Sequence, residues 1–407
     1  METIDFLKHA SVKKTWDVSA QMPVSFSIRY STNVLDPTNG DLLEFGESNR
    51  RIIAIDKNVH EIYGDELNAY LEARGIEGEI CALDCSEEQK SLETALELLQ
   101  AFEDFGLLRR SEPVIGIGGG VLLDIVGFAA SIYRRGVPYI RVPTTLLALV
   151  DASIGAKTGV NHFDRRNRLG SYHVPQAAYI DKTFVKSQET REICNGMAEI
   201  FKMAVISDAE LFRLLEEHAE ILIGEKFQFG AVPVRVINLA ISGMVTALSA
   251  NLWEKNLERY VDFGHSFSPM VEMMSLPELS HGEAVCIDCL FSSYLSFARG
   301  LLQRDELTRI VDTARRLQLP IFHRYFGEPD VLQKALDDTK RHRNGNQNLP
   351  LPCGIGSFVF CNDLSFEEIE NASRMMAQET GQETGQETGQ ETGQETGQET
   401  GQETAAT

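Results

Sequence analysis

The chain has 407 residues, 43% of them apolar and 24% charged, enough for about two or three domains of some 150 residues and too apolar for a disordered or collagen-like polymer. Sixty acidic residues against 38 basic give a formal net charge of -22, which repels phosphate backbones and anionic lipids and argues against nucleic acid and membrane partners. The opening residues lack a basic, apolar leader, and charge interrupts the long apolar stretches before the roughly 18 residues a spanning helix needs, so a cytoplasmic protein is expected.

From residue 1 to 180, short β-branched runs alternate with helical patterns. Strands are expected at Arg51–Asp56, Glu79–Leu83, Pro113–Ile117 and Tyr139–Val142, and helices at Val59–Arg74 and Leu92–Phe105. This βαβ order predicts a Rossmann-like, doubly wound α/β domain with its ligand at the carboxyl ends of the strands. From 181 to 377 the strand signal fades. Amphipathic stretches at Cys194–Val205, Asp208–Ile223, Val234–Leu252, Gly282–Ala298 and Arg304–Leu317 predict a mainly α-helical C-terminal domain, with chemistry in the cleft between the halves. Residues 378–407 repeat Gln-Glu-Thr-Gly and end in Ala-Ala-Thr, a composition that cannot offset its ordering entropy by burial, so a disordered tail is expected. Seven scattered cysteines imply reduced thiols. Cys286 and Cys289 form a CxxC inside an apolar run without a second pair, and packing is their expected role.

Gly116-Ile-Gly-Gly-Gly-Val-Leu-Leu-Asp124 follows an apolar strand and opens an apolar helix, the setting in which glycines let backbone amides approach a pyrophosphate. Val121 stands where the third glycine of GxGxxG would be, so a tight structural turn is the other reading. The loop Pro143 to Asn161 places Asp151, hydroxyls and Lys157 among small residues, and Arg165-Arg-Asn-Arg168 follows closely. Cations concentrated in an acidic protein would focus phosphate into a cleft; a solvated turn is the alternative. In the helical half, Glu199, His265 and His281 lie in three separate segments. A single histidine beside apolar residues is often structural, but two imidazoles and a carboxylate leave an open position on a divalent ion, as a catalytic metal site requires.

Together these segments resemble the dehydroquinate synthase-like sugar phosphate cyclases. The resemblance rests on Gly118-Gly-Gly-Val-Leu-Leu-Asp124, Tyr133-Arg-Arg-Gly136, Val142-Pro-Thr-Thr-Leu146, Val150 to Asn161, Asn195-Gly-Met-Ala-Glu-Ile-Phe-Lys202, Phe263-Gly-His-Ser266 and His281-Gly-Glu-Ala-Val285. It implies a homodimer acting on a small sugar phosphate, with NAD and one divalent metal, zinc or cobalt, as cofactors. Glu199, His265 and His281 would be the metal ligands. Asp56, Asn58, Glu87, Lys90, Gly119, Gly120, Asp124, Thr144 and Thr145 would contact NAD, and Asp151, Lys157, Asn167 and Lys202 would face the substrate. Lys157, Arg166 and Asn167 would hold its phosphate. The family's chemistry is a transient oxidation, phosphate elimination, return of the hydride, ring opening and an intramolecular aldol closure.

The sequence departs from dehydroquinate synthase where that enzyme holds its substrate. Arg, Asn and a second His of its pattern are Glu258, Asp262 and Pro269 here, a lysine aligns with His342, and a phosphate-facing lysine is Arg166. Loss of cationic partners disfavours a substrate carboxylate. Asp262 with His342 resembles the branch that cyclises sedoheptulose 7-phosphate to 2-epi-5-epi-valiolone. The desmethyl-4-deoxygadusol and 3-dehydroquinate branches are the alternatives within the family, and the metal-dependent alcohol and glycerol dehydrogenases the alternative outside it.

Overall fold

A computed structural model describes residues 15–163 and 165–395. The first half contains β1 (Ser27–Tyr30), β2 (Arg50–Asp56), α1 (Lys57–Arg74), β3 (Glu77–Leu83), α2 (Leu92–Asp104), β4 (Val114–Gly118), α3 (Gly120–Ile132), β5 (Tyr139–Pro143), β6 (Lys157–His162), β7 (Arg165–Tyr172) and β8 (Ala177–Ile180). Six of these strands form a parallel sheet in the order β1-β8-β5-β4-β2-β3. Alternate residues of β2 feed two different cores. Ile53 and Ile55 pack with Tyr63 and Leu67 of α1, whereas Ile52 and Ala54 pack with Leu98 of α2 and Val126 of α3. Burial on both faces is why these strands read as unbroken apolar runs. The Asp56 carboxylate caps α1, its Oδ1 accepting from the Asn58 amide at 2.8 Å and the Val59 amide at 3.3 Å.

Lys157 and Arg165–Arg168 correct the sequence reading. They lie in the antiparallel pair β6–β7, which stands apart from the main sheet, rather than in loops. Their polar, glycine-broken pattern hid the strands; the ribbon is fixed instead by packing Val160 and Leu169 against the α3 core.

The second half contains α4 (Thr190–Ser207), α5 (Ala209–Gly224), α6 (Val232–Ser249), α7 (Ser268–Ser275), α8 (His281–Ala298), α9 (Arg304–Arg316), α10 (Pro329–His342), β9 (Leu349–Pro352), β10 (Phe358–Cys361) and α11 (Phe366–Glu395). Helices α4 and α8 are buried along most of their length and form the centre of one large core. Cys286 and Cys289 are fully buried within it as free thiols, as packing residues should be. Helix α6 corrects another expectation, because its 18 residues are long and apolar enough to cross a membrane. Val236, Ile237, Ala240, Ile241 and Met244 are buried in the helical core, so one face is already occupied.

The tail also differs from expectation. Helix α11 continues past residue 377 to Glu395. Glu379 pairs with Arg304 at 2.8 Å and accepts from the Tyr294 hydroxyl at 3.1 Å, which anchors the first repeat. The repeats at 396–407, and the opening residues read for a leader, lie outside the described residues. Truncation after Thr380 should leave turnover and melting temperature unchanged. Truncation after Met376 also removes Glu379, and a thermal melt should register a loss under about 1 kcal/mol, the usual ceiling for an exposed ion pair.

Candidate active site

A cleft of about 1230 Å³ runs between the sheet and the helical half. All nine residues expected to contact a nucleotide line it: Asp56, Asn58, Glu87, Lys90, Gly119, Gly120, Asp124, Thr144 and Thr145. They meet because β2, β4 and β5 end side by side, the position at which a parallel sheet presents its loops to a ligand. Buried Lys90 bridges this wall to the ribbon, its Nζ lying 2.6 Å from Asp124 Oδ2 and 2.6 Å from Asn167 Oδ1. Asn161 Nδ2 donates to Glu87 Oε1 at 2.8 Å, and Asn161 Oδ1 accepts from the Asn167 amide at 2.9 Å.

The helical side supplies Glu199 from α4, His265 from the loop before α7 and His281 from the first turn of α8. Their donor atoms lie within 4.8 Å of one another. Helices α4 and α8 approach closely here, and only glycine fits at 282, where a Cβ would come 2.1 Å from the Asn195 carbonyl oxygen. The His265 loop is held by the buried carboxylate of Asp288, which accepts from the amides of Ser266, Phe267 and Ser268 at 2.9, 2.7 and 2.8 Å.

Glu199 is the least solvated of the three, with a side chain 2% exposed. Burial pushes its carboxyl up, but Lys202 and the two imidazoles outweigh that and hold it well below the usual carboxylate range. The Lys202 ammonium lies 2.5 Å from Oε2, yet neither carboxylate oxygen has a well-aligned hydrogen-bond partner. Oε1, which faces both imidazole Nε2 atoms at 3.6 and 3.4 Å, is a buried acceptor that fits a cation. The imidazoles are pushed apart: burial and Lys202 lower His265 to about 4, while against burial Glu199 and Glu272 raise His281 to about 9.

Among the residues expected at the substrate, Asp151 lines the cleft, and burial together with the charge of Glu199 raises its carboxyl. Arg166 and Asn167 also line it. The Arg166 guanidinium is shared between Glu87, at 2.8 Å, and Glu272. His342 lines the cleft from the end of α10, and so does Pro269. Lys157 is not brought in; it is exposed and paired with Glu254 at 2.5 Å. Asp262 lies outside the lining too, engaged by Arg259 and by Arg343 at 3.5 Å. Those arginines overcome the burial that would raise its carboxyl and hold it below the usual range. Glu258 is exposed. Of the positions at which the sequence departs from dehydroquinate synthase, Arg166, Pro269 and His342 line the cleft and Glu258 and Asp262 do not.

Sequence reasoning missed Glu272, which accepts from or faces His281 Nδ1 at 3.1 Å and binds Arg166 with its other oxygen. It sits seven residues after His265 on the face of α7 turned to the cleft, but its partners are 106 and nine positions away, so no local motif marks it. Arg343 and Glu254 were missed for the same reason, their partners Asp262 and Lys157 being far off in sequence; Arg259 pairs with Asp262 only three residues on, but no motif marks the pair.

Fold and site together are those of an enzyme in which a parallel sheet and a helical half carrying three clustered metal-ligating side chains face one cleft. The chain belongs to the 3-dehydroquinate synthase family: residues 80–195 match its N-terminal domain and residues 196–341 its C-terminal domain. It is 46% identical over 377 residues to a 2-epi-5-epi-valiolone synthase of an Actinomyces species, covering 90% of this chain and 98% of that protein. A 2-epi-5-epi-valiolone synthase of Streptomyces hygroscopicus subsp. jinggangensis is 48% identical over 372 residues, 89% of this chain and 90% of the relative. The solved structure of ValA, a 2-epi-5-epi-valiolone synthase from the same organism with NAD+ and Zn2+ bound, superposes with a TM-score of 0.85 at 46% identity, covering 89% of this chain and 100% of that one.

Proposed function

We propose that this chain is a sugar phosphate cyclase that converts sedoheptulose 7-phosphate to 2-epi-5-epi-valiolone with loss of phosphate, using NAD and one divalent ion. The observation that carries this reading is the opening of His265 and His281, with Glu199 behind them, onto the same cleft as the glycine turn and the Lys90–Asp124 pair. The substrate follows from the valiolone synthases at 46–48% identity.

Bound NAD supplies a hydride acceptor that returns what it takes, and zinc or cobalt supplies a Lewis acid for the oxygens at the reacting carbon. Glu199, His265 and His281 would hold the ion; one carboxylate and two imidazoles suit such a metal. The nine residues of the sheet-side wall would hold NAD. Lys202 is outside the cleft lining and stays protonated because Glu199 and Asp151 outweigh its burial, so its Nζ is a hydrogen-bond donor held behind the cleft against Glu199. Asp151, with its raised carboxyl, is placed to hold a proton nearby. Arg166 and Asn167 would bind the phosphate, and Lys157, whose side chain is exposed, would join them on leaving Glu254, which Arg259 still compensates. Discrimination against a carboxylated substrate rests on commitment of charge: Arg259 and Arg343 are taken up by Asp262, and Arg259 also by Glu254, leaving His342 and Pro269 at the cleft where another family member would present stronger partners. Asp262 acts in this reading by fixing that corner. A homodimer completes it, with exposed Trp16, Val18 and Met22, which precede the edge strand β1, as apolar surface for a second copy to cover.

The product equals the substrate less one phosphoric acid, so the reaction is redox-neutral. Incubated with sedoheptulose 7-phosphate, zinc and NAD far below substrate, the protein should release phosphate and 2-epi-5-epi-valiolone over many turnovers without accumulating NADH. NADH rising in step with product would instead mark a dehydrogenase. Conversion of the carboxylated heptulosonate phosphate would overturn the substrate assignment.

A further inference from the structure

A chain of side chains runs from the nucleotide wall to the metal donors and is explained by neither site alone. Glu87 accepts from Arg166 Nε at 2.9 Å and pairs with Nη2 at 2.8 Å. The third guanidinium nitrogen, Nη1, binds Glu272 Oε1. Glu272 Oε2 lies 3.1 Å from His281 Nδ1, and His281 Nε2 lies 3.4 Å from Glu199 Oε1. Glu272 is only 5% exposed, so an unpaired carboxylate there would be costly, and both its oxygens are committed.

From this geometry we infer that Glu272 is a positioning residue for His281, and that Arg166 couples its position to the nucleotide wall, so that metal and NAD bind cooperatively. The inference rests on the ligand reading given above. A proton on Nδ1 donated to Glu272 leaves the Nε2 lone pair directed at the donor set, fixing both tautomer and ring orientation. Arg166 holds Glu272 from behind, and Glu87 holds Arg166. The arginine ties β7 and the segment before α2 to α7, so ordering one wall favours order at the other.

Metal affinity by chelator competition tests the first link, and NAD affinity with zinc or with chelator tests the second. Glu272→Gln loses the charge and one acceptor, and its zinc affinity should fall about 10- to 100-fold, the range for loss of a partner that orients a ligand; Glu272→Asp should recover part of it. Wild-type protein should bind NAD more tightly with zinc than with chelator, and Arg166→Met should erase that difference. Zinc affinity in Glu272→Gln within twofold of wild type, while His281→Ala no longer holds zinc, would overturn the inference and leave the ligand reading intact. A zinc effect on NAD binding that survives in Arg166→Met would overturn the coupling. Stoichiometric zinc in His281→Ala would remove the ligand reading and this inference with it.

Discussion

His265→Ala should no longer retain zinc or cobalt through gel filtration, and its turnover should fall at least about a thousandfold, because a Lewis acid contributes several kcal/mol at the reacting oxygens and each 1.36 kcal/mol is tenfold. The fold should survive. His265 comes from a loop held independently by Asp288, and its side chain is 26% exposed to the cleft, so truncation opens space to solvent rather than leaving a closed cavity in the core. Metal content per chain and a thermal melt, read together, check this: stoichiometric tightly held metal in the variant would strike His265 from the ligand set, and a collapse of the melt would assign it a structural role.

Lys202→Met should produce the opposite pattern, with stability lost first. Lys202 and Glu199 are 3% and 2% exposed, and removing one partner of a buried pair costs about 3–5 kcal/mol because the other charge is left uncompensated. Asp151 depends on the same ammonium for compensation. In chelator the melting midpoint should drop sharply. Zinc should restore much of the loss, because a cation bound to Glu199 supplies the missing positive charge, and it should stabilise the variant more than it stabilises the parent protein. An equal zinc shift in both proteins would show that Lys202 and the ion do not compensate the same carboxylate.

The sheet was readable where burial is two-sided. Strands β2, β4 and β5 are buried along nearly their whole length, and such strands appear as apolar runs in any sequence. Helices α4, α5, α6, α8 and α9 were readable from their periodicity. The ribbon β6–β7 was not, because Lys157-Thr-Gly-Val-Asn-His162 and Arg165-Arg-Asn-Arg-Leu-Gly-Ser-Tyr172 place charge and glycine where a strand usually shows alternation. The helix over the first repeats was not legible because composition says nothing of the Arg304 side chain that meets Glu379. At the site, residue types and order were enough to pick out nine sheet-side residues that meet at one cleft and three donors that cluster. Charge compensation was not legible: that Arg343 engages Asp262, that Glu254 engages Lys157, and that Glu272 reaches Arg166 are facts of tertiary proximity across long stretches of sequence, and the local Arg259–Asp262 pair carries no motif that marks it.

Helix α8 carries His281 in its first turn and, two turns further on, the Asp288 carboxylate that grips the loop of His265. A single rigid rod therefore gauges the distance between the two imidazoles, and α4, locked against it at Gly282, brings Glu199 to the same gauge. The donor triangle is internal to the helical half, whereas Lys90, Asp124, Arg166 and Asn167 belong to the sheet half. Separation of the halves to admit a sugar or release a product would part Arg166 from Glu272 and so loosen the hold on His281, while Glu199 and His265 keep their spacing. The ion would thus be gripped by two fixed donors throughout the catalytic cycle and by the third most firmly when the cleft is shut.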